Sequence, residues 1–180
     1  MPKVDDGASP SPPPPARDQY YLAGRTRLLT EILNESCVVL DLAASSKDAV
    51  IEALVDALVR AEVVQDRQRM VDDLKKRERV MSTGIGSGIA VPHAQSPGAA
   101  RLAMALGRLA QPIDFEALDE RPVRLVFMVV GPEERGGFIR VLARISRLLY
   151  SGDLQRNLLR SRTAAEAIAC IREEEAKITG

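Results

Sequence analysis

The amino-acid sequence predicts a single α/β domain built on a mixed β-sheet of about five strands, with helices on both faces. Segments with helical spacing stand before, between and after short apolar runs, which is the order expected when helices cover one sheet. Hydrophobic residues make up 46% of the 180 residues, enough to form one sizeable core. Aromatic residues make up only 3%, so we expect aliphatic side chains to form that core.

Residues 1–24 are rich in proline, serine and glycine, and the run Pro12–Pro15 favours an extended polyproline conformation. We therefore expect a disordered, solvated tail here, with an SH3-type ligand as the alternative, and a folded domain over residues 25–180. The tail has no apolar segment typical of a secretory signal peptide. No apolar run approaches the roughly 20 residues that span a bilayer, so the sequence predicts a cytoplasmic protein with no membrane insertion.

The sequence predicts both helices and strands along the domain. The helix predicted over 45–64 begins with a serine cap and places Val50, Leu54 and Leu58 at helical spacing. The strand predicted over 37–43, CVVLDLA, contains consecutive β-branched residues. The predicted helices cover 25–34, 45–64, 66–80, 138–152, 153–161 and 163–175, and the predicted strands cover 37–43, 88–92, 102–108 and 124–130.

Charge and cysteine content exclude several classes of function. Lys plus Arg and Asp plus Glu both total 25, and this balance argues against general binding to nucleic acid or to an anionic membrane. The basic segment 67–79 is interrupted by Asp72 and Asp73 and contains no aromatic residue for base stacking. Cys37 and Cys170 each stand among aliphatic residues and are predicted to be small buried hydrophobes. One histidine and two scattered cysteines are too few for a zinc site, so we expect no metal and no cofactor.

The stretch Ser82–Gln95, STGIGSGIAVPHAQ, is the most distinctive in the chain. Three glycines are spaced two apart, an apolar run follows, and Pro92 then precedes His93, the only histidine. The glycine spacing does not match the dinucleotide-binding fingerprint, and no Lys-Ser/Thr pair follows it as in a P-loop. Ser87 has glycine on both sides but does not complete the G-x-S-x-G pattern of a lipase-type elbow.

The residue types in this stretch still fit phosphate chemistry. Glycines allow positive φ and close approach of a ligand to the backbone, and amides in such a turn can bind an anion. A neutral imidazole is nucleophilic, and Pro92 would present it from stiff backbone, with cations supplied by KKRER at 75–79. The alternative is an ordinary turn and an ordinary histidine, and the residues alone leave both open. The predicted phosphate-binding residues beside His93 are Ser82, Thr83, Gly84, Gly86, Ser87 and Gly88.

The segments RERVMSTGIGSGIAVPHAQ and QPIDFEALDERPVRLVFMVVGPEE resemble the enzyme IIA components of the bacterial phosphoenolpyruvate-dependent phosphotransferase system. The resemblance is to the fructose/mannitol type, which includes the nitrogen-regulatory proteins, and it covers residues 25–175. It implies a mixed sheet flanked by helices and a phosphoryl carrier rather than a stand-alone enzyme. It also implies that His93 accepts a phosphoryl group from an HPr-type protein and that Arg77 lies near the phosphohistidine.

Two departures from the family pattern accompany the resemblance. Phe138 stands where family members often have a second histidine, which puts the rate or the direction of transfer in doubt. Met81 stands where the family usually has glycine.

Three outputs are compatible with the resemblance. Because no IIB or IIC segment accompanies the domain in this chain, we expect a nitrogen-type regulator that acts on a target protein. A sugar-specific enzyme IIA that passes phosphate to a IIB component is the first alternative. The second is a module that has lost efficient transfer and binds an acidic partner through Arg140, Arg144 and Arg147, which fall on one helical stripe; the simpler interpretation of that stripe is a solvated helix face.

Overall fold

A computed structural model describes residues 28–132, 137–150 and 152–179, and within them six strands form one mixed sheet. The predicted tail, 1–24, lies outside the described residues. The strands are β1 (Leu33–Leu42), β2 (Gly84–Gly86), β3 (Ile89–Ala90), β4 (His93–Gln95), β5 (Ala103–Ile113) and β6 (Val123–Gly131). Their order is β1-β5-β6-β3-β2, with β4 also paired to β6. The pairs β1–β5, β3–β6 and β4–β6 are parallel, and β5–β6 and β2–β3 are antiparallel.

The two central strands explain why helices are needed on both faces. Residues 103–109 of β5 and 125–131 of β6 are buried without a break. Successive side chains of a strand point to opposite faces, so an unbroken buried run means that both faces are covered. The core is mainly aliphatic, as the composition predicts. The predicted α/β class is therefore confirmed.

Six helices cover this sheet in the described residues: α1 (Leu29–Ile32), α2 (Lys47–Arg60), α3 (Arg67–Val80), α4 (Gly137–Leu149), α5 (Asp153–Arg160) and α6 (Ala164–Thr179). The hydroxyl of Ser46 accepts a hydrogen bond from the Ala49 amide at 3.2 Å and caps α2, as predicted. The Asp66 carboxylate caps α3 in the same way through the Arg69 amide at 3.0 Å. None of the described helices is both long and apolar enough to cross a membrane.

The predicted strand over 88–92 is shorter in the structure, where only Ile89 and Ala90 of it form a strand, β3. Val91 and Pro92 divide it from a second strand, β4, which begins at His93. Proline has no amide hydrogen to donate to a ladder, so regular pairing stops there, although the Pro92 carbonyl still accepts from the Val129 amide at 3.0 Å. The division places His93 at the first residue of a new strand.

The other differences concern one helix, one strand and one cysteine. The helix predicted over 25–34 is limited in the described residues to α1, because Leu33 is already extended and begins β1. Strand β2 has no sequence signal of a strand and forms only by pairing with β3. Cys37 is buried as predicted, and this burial raises the pKa of its thiol, whereas Cys170 is half-buried.

Candidate functional site

The geometry of His93 defines which ring nitrogen can react. Its Nδ1 atom lies 2.8 Å from the carbonyl oxygen of Val91. A carbonyl only accepts hydrogen bonds, so Nδ1 must carry the proton and Nε2 must hold the free lone pair. The parallel pairing of His93 with Val129 of β6 holds the backbone that supports this ring.

The surroundings keep the imidazole neutral. Burial lowers the pKa of His93, and the guanidinium of Arg77 lowers it further. The Val91 carbonyl and the carboxylate of Glu78 act in the opposite direction, but the net effect on the pKa is downward. At pH 7 the ring is therefore uncharged, which is the form with a nucleophilic nitrogen.

His93 lies in an open pocket of about 600 Å³ formed by three elements. Strand β4 forms one wall, the polar face of α3 forms another, and the start of α4 supplies an apolar edge. Arg69 on α3 is paired with Asp73 at 3.0 Å, so this cation is partly neutralised. The lining residues are Arg69, Asp73, Lys76, Arg77, Val80, His93, Ala94, Gln95, Phe138, Ile139 and Leu142.

Arg77 shares this pocket with His93. Its Nη1 atom donates to the Met81 carbonyl at 2.9 Å, which fixes the guanidinium across the end of α3. A guanidinium has five N–H donors, so others remain for a planar or tetrahedral oxyanion. The structure thus brings together the two residues for which the sequence predicts a joint role.

A sequence model of the family described as "Phosphoenolpyruvate-dependent sugar phosphotransferase system, EIIA 2" matches residues 31–174. This chain belongs to the EIIA 2 family. It is 33% identical over 148 residues to the fructose-specific EIIABC component of Bacillus subtilis, covering 82% of this chain but only 23% of that protein. It is 35% identical over 138 residues to a nitrogen regulatory protein of Bradyrhizobium diazoefficiens, covering 76% of this chain and 89% of that protein.

A solved structure agrees with this family membership. The crystal structure of the nitrogen regulatory protein IIA-Ntr from Neisseria meningitidis superposes with a TM-score of 0.75 at 31% identity. The superposition covers 81% of this chain and 99% of that one.

In this EIIA 2 domain the turn of the glycine segment, Ser87–Gly88, lies away from His93, whereas Thr83 near its start accepts a hydrogen bond from the Val91 amide at 2.9 Å. Ser87 and Gly88 form the turn of the β2–β3 hairpin, with φ of 55° and 77°. Positive φ at both turn residues is typical of a type I′ turn, so the expected conformational freedom is used to join two strands. Ile89, which follows the turn, pairs with Leu125 of β6, and His93 pairs with Val129 of β6. Leu125 and Val129 are four residues apart on one strand, so Ile89 and His93 are separated by about 13 Å.

Three backbone amides of that segment already have side-chain hydrogen-bond partners. The Ser87 amide donates to Asp119 Oδ2 at 2.7 Å, and the Gly84 amide donates to Ser82 Oγ at 3.0 Å. The Thr83 amide donates to the Glu78 carboxylate at 3.2 Å. Thr83 is joined to Val91, two residues before His93. None of the residues predicted to bind phosphate lines the pocket of His93: Ser82, Thr83, Gly84, Gly86, Ser87 and Gly88.

Phe138 occupies the space beside the reactive ring. Its ring centroid lies 6.1 Å from that of His93, with the planes tilted by 55°. The side chain is 8% exposed and forms part of the apolar edge of the pocket. A phenyl ring neither donates nor accepts protons, so in this EIIA 2 domain it can shape and dry the site but cannot assist proton transfer.

Sequence reasoning missed Glu78. The buried face of α3 consists of Met70, Val71, Leu74 and Glu78. A carboxylate at the next step of an apolar helical stripe is visible in the sequence, and it indicates a buried charge with a specific partner.

The arginine stripe of α4 forms a separate small concavity. Its volume is about 200 Å³, and it is lined by Arg140, Ala143, Arg144, Arg147 and Ile178. The side chain of Arg144 is only 12% exposed and lies 3.4 Å from Glu175, so this is not a uniformly solvated face. Within the described part of the chain, Arg144 Nε is buried with no hydrogen-bond partner.

Proposed function

We propose that this EIIA 2 domain is a phosphohistidine carrier of the phosphotransferase system. In this role His93 accepts a phosphoryl group from a phosphohistidine of an HPr-type protein. The observation that carries the proposal is the 2.8 Å contact between His93 Nδ1 and the Val91 carbonyl, because it leaves Nε2 unprotonated in an open pocket shared with Arg77.

The chemistry needs few groups from the protein. The lone pair of His93 Nε2 forms a bond to phosphorus as the nitrogen–phosphorus bond of the donor breaks, and the electron pair of that bond leaves with the donor nitrogen. His93 keeps its Nδ1 proton, and the Val91 carbonyl stabilises the positive charge that develops on the ring. Arg77 offsets the negative charge on the phosphoryl oxygens.

A regulatory, nitrogen-type output is the preferred part of this proposal. It is supported by the nitrogen regulatory relatives, of which this chain spans 89% and 99%. In this role the domain acts in the cytoplasm and binds a target protein according to its phosphorylation state. The alternative is sugar transport, in which the domain passes the phosphoryl group to a IIB component; the likeness to a fructose-specific protein supports it.

Phosphoryl labelling tests the carrier role directly. The wild-type chain and His93→Ala are each incubated with a phosphorylated HPr-type protein, and acid-labile phosphate is measured on each. Because His93 is the only histidine, we expect labelling of the wild type and none of the variant. Equal labelling of both would refute the role of His93, and chasing the labelled protein with a IIB protein separates transport from regulation.

We also propose a second role, the binding of an acidic protein segment at the arginine concavity. It is supported by the convergence of Arg140, Arg144 and Arg147 and by the absence of any acidic residue in the α4 sequence, Gly137–Leu149. Binding of a glutamate-rich peptide should weaken with salt and with Arg147→Gln. Arg121→Gln, which removes an exposed cation elsewhere, is the matched control; equal binding by both variants would exclude this surface.

A further inference from the structure

Glu78 is a buried carboxylate close to the reactive histidine. It is 4% exposed and lies on the core face of α3. A buried carboxylate is costly unless hydrogen-bond donors or a cation compensate it. Both of its oxygens accept the Thr83 amide at 3.2 Å, Oε2 accepts the Thr83 hydroxyl at 2.6 Å, and Lys47 Nζ lies 3.8 Å from Oε1.

The partner of Glu78 is itself joined to His93. The Thr83 carbonyl accepts the Val91 amide at 2.9 Å, and the Val91 carbonyl faces His93 Nδ1 at 2.8 Å. Thr83 is 5% exposed, so water does not compete for these contacts. A continuous chain of hydrogen bonds therefore runs from the carboxylate through two backbone segments to the imidazole.

We propose that Glu78 is a positioning residue for His93: by holding Thr83 it fixes the Val91 carbonyl, which selects the Nδ1-protonated tautomer and directs Nε2 into the pocket. Glu78 does not line the pocket and positions His93 through this chain. The consequence for transfer rests on the proposed carrier function, but the effect on the tautomer does not.

The charge of Glu78 gives a second reason for a carboxylate at this place. Attack of Nε2 on phosphorus leaves positive charge on the ring, and a nearby negative charge stabilises that state. The other charged groups facing the ring are Arg69, Asp73, Lys76 and Arg77 on α3. Lys47 also bonds Glu116 at 2.6 Å, so its charge is shared between two carboxylates.

The test compares Glu78→Ala and Glu78→Gln, with Glu116→Gln as the matched control. Glutamine keeps an acceptor and a donor for Thr83, whereas alanine removes both; Glu116→Gln removes the other carboxylate on Lys47 without touching Thr83. The tautomer is determined from ¹⁵N chemical shifts of His93, whose signals are unique because the chain has one histidine. Labelling rates with a phosphorylated HPr-type protein are measured on the same samples.

We expect Glu78→Ala to give a mixture of tautomers and to slow labelling about ten- to a hundredfold, because a small displacement of a reacting atom has effects of that size. Glu78→Gln should keep the wild-type tautomer and slow labelling by about threefold, because only the charge is lost. Glu116→Gln should keep both the tautomer and the rate of the wild type. A folded Glu78→Ala that keeps both the tautomer and the rate overturns the proposal.

If Glu78→Ala does not fold, Thr83→Val is decisive. It removes the 2.6 Å hydroxyl contact at nearly constant volume, and an unchanged tautomer would then overturn the proposal. A wild-type protein with the expected tautomer but no labelling would refute the carrier function alone.

Discussion

His93 donates its Nδ1 proton to the carbonyl of Val91, only two residues before it in the chain, at 2.8 Å. The intervening Pro92 restricts the backbone between donor and acceptor, so the contact is a local property of the Val-Pro-His sequence. The hydrogen bond from the Val91 amide to the Thr83 carbonyl at 2.9 Å holds this short segment from the other side. How firmly Thr83 is held therefore determines how firmly the imidazole is oriented.

The pH dependence of labelling follows from the environment of His93. Burial lowers the pKa of the imidazole below its ordinary value of about 6.5. Labelling should therefore rise with pH to a midpoint below about 6.5 and stay constant above it. A ¹H NMR titration of the His93 ring gives the same pKa independently, and a value above 6.5 would contradict the predicted burial effect.

The lowered pKa of His93 also predicts how the stability of the fold depends on pH. Because the folded state binds the His93 proton more weakly than the unfolded state, acid favours unfolding. The contribution of His93 to the free energy of unfolding should be fully present above about pH 6.5, the ordinary pKa of the unfolded state. It should decrease as the pH falls toward the lower pKa of the folded state. Urea unfolding of the wild type and His93→Gln between pH 5 and 7 would measure it, since the variant lacks this term; parallel curves for the two proteins would exclude it.

Arg77 should affect both the rate of phosphoryl labelling and the pKa of His93. Arg77→Gln removes a cation from the pocket of His93, and we expect labelling to slow about a hundredfold. The pKa of His93 should rise in this variant, because Arg77 holds it down. Arg79→Gln, which changes an exposed cation on the same helix outside the pocket, is the control. The prediction fails where both variants transfer phosphate alike.

The elements with strong local patterns are predictable from the sequence. The buried stripe that includes Met70 and Leu74 on α3 follows helical spacing, and the apolar runs of β5 and β6 are long enough to indicate buried strands. Strand β2 could not be predicted, because its glycines favour no strand and only pairing with β3 makes it one. Strand β1 starts earlier than predicted, at Leu33 before the polar residues 34–36, because Leu33 pairs with Met104 of β5.

The neighbourhood of His93 was predictable in part, because distinctive side chains form it. His93 after Pro92, with basic residues shortly before it, predicts a histidine close to a cation, and the structure places Arg77 in the same pocket. The spacing of the glycines alone could not show that Ser87 and Gly88 lie beside Arg124 at the start of β6, because that depends on strand register. Register is a long-range property that no local pattern in this segment contains.

The role of the glycine turn can be tested at Gly88. Its φ of 77° is costly for any residue with a Cβ, so Gly88→Ala should destabilise the fold by about 1–2 kcal/mol. An added Cβ would lie 3.4 Å from the Pro122 carbonyl oxygen, which is ordinary contact, so the cost comes from the backbone. Labelling of the folded fraction should be unchanged. A loss of labelling without a loss of stability would instead place the turn in the phosphoryl site.

Phe138→His would test whether a second imidazole assists transfer. The Phe138 ring lies 6.1 Å from His93, so a histidine there could donate a hydrogen bond to a phosphoryl oxygen on Nε2 and offset part of its charge. We expect labelling by a phosphorylated HPr-type protein to speed up by about tenfold. Phe138→Leu keeps an apolar side chain at the same place and should label at the wild-type rate, which separates the imidazole from the change in packing. Equal rates in the histidine and leucine variants would show that the phenyl ring does not limit transfer, and that the single imidazole held by Val91 is sufficient for this domain.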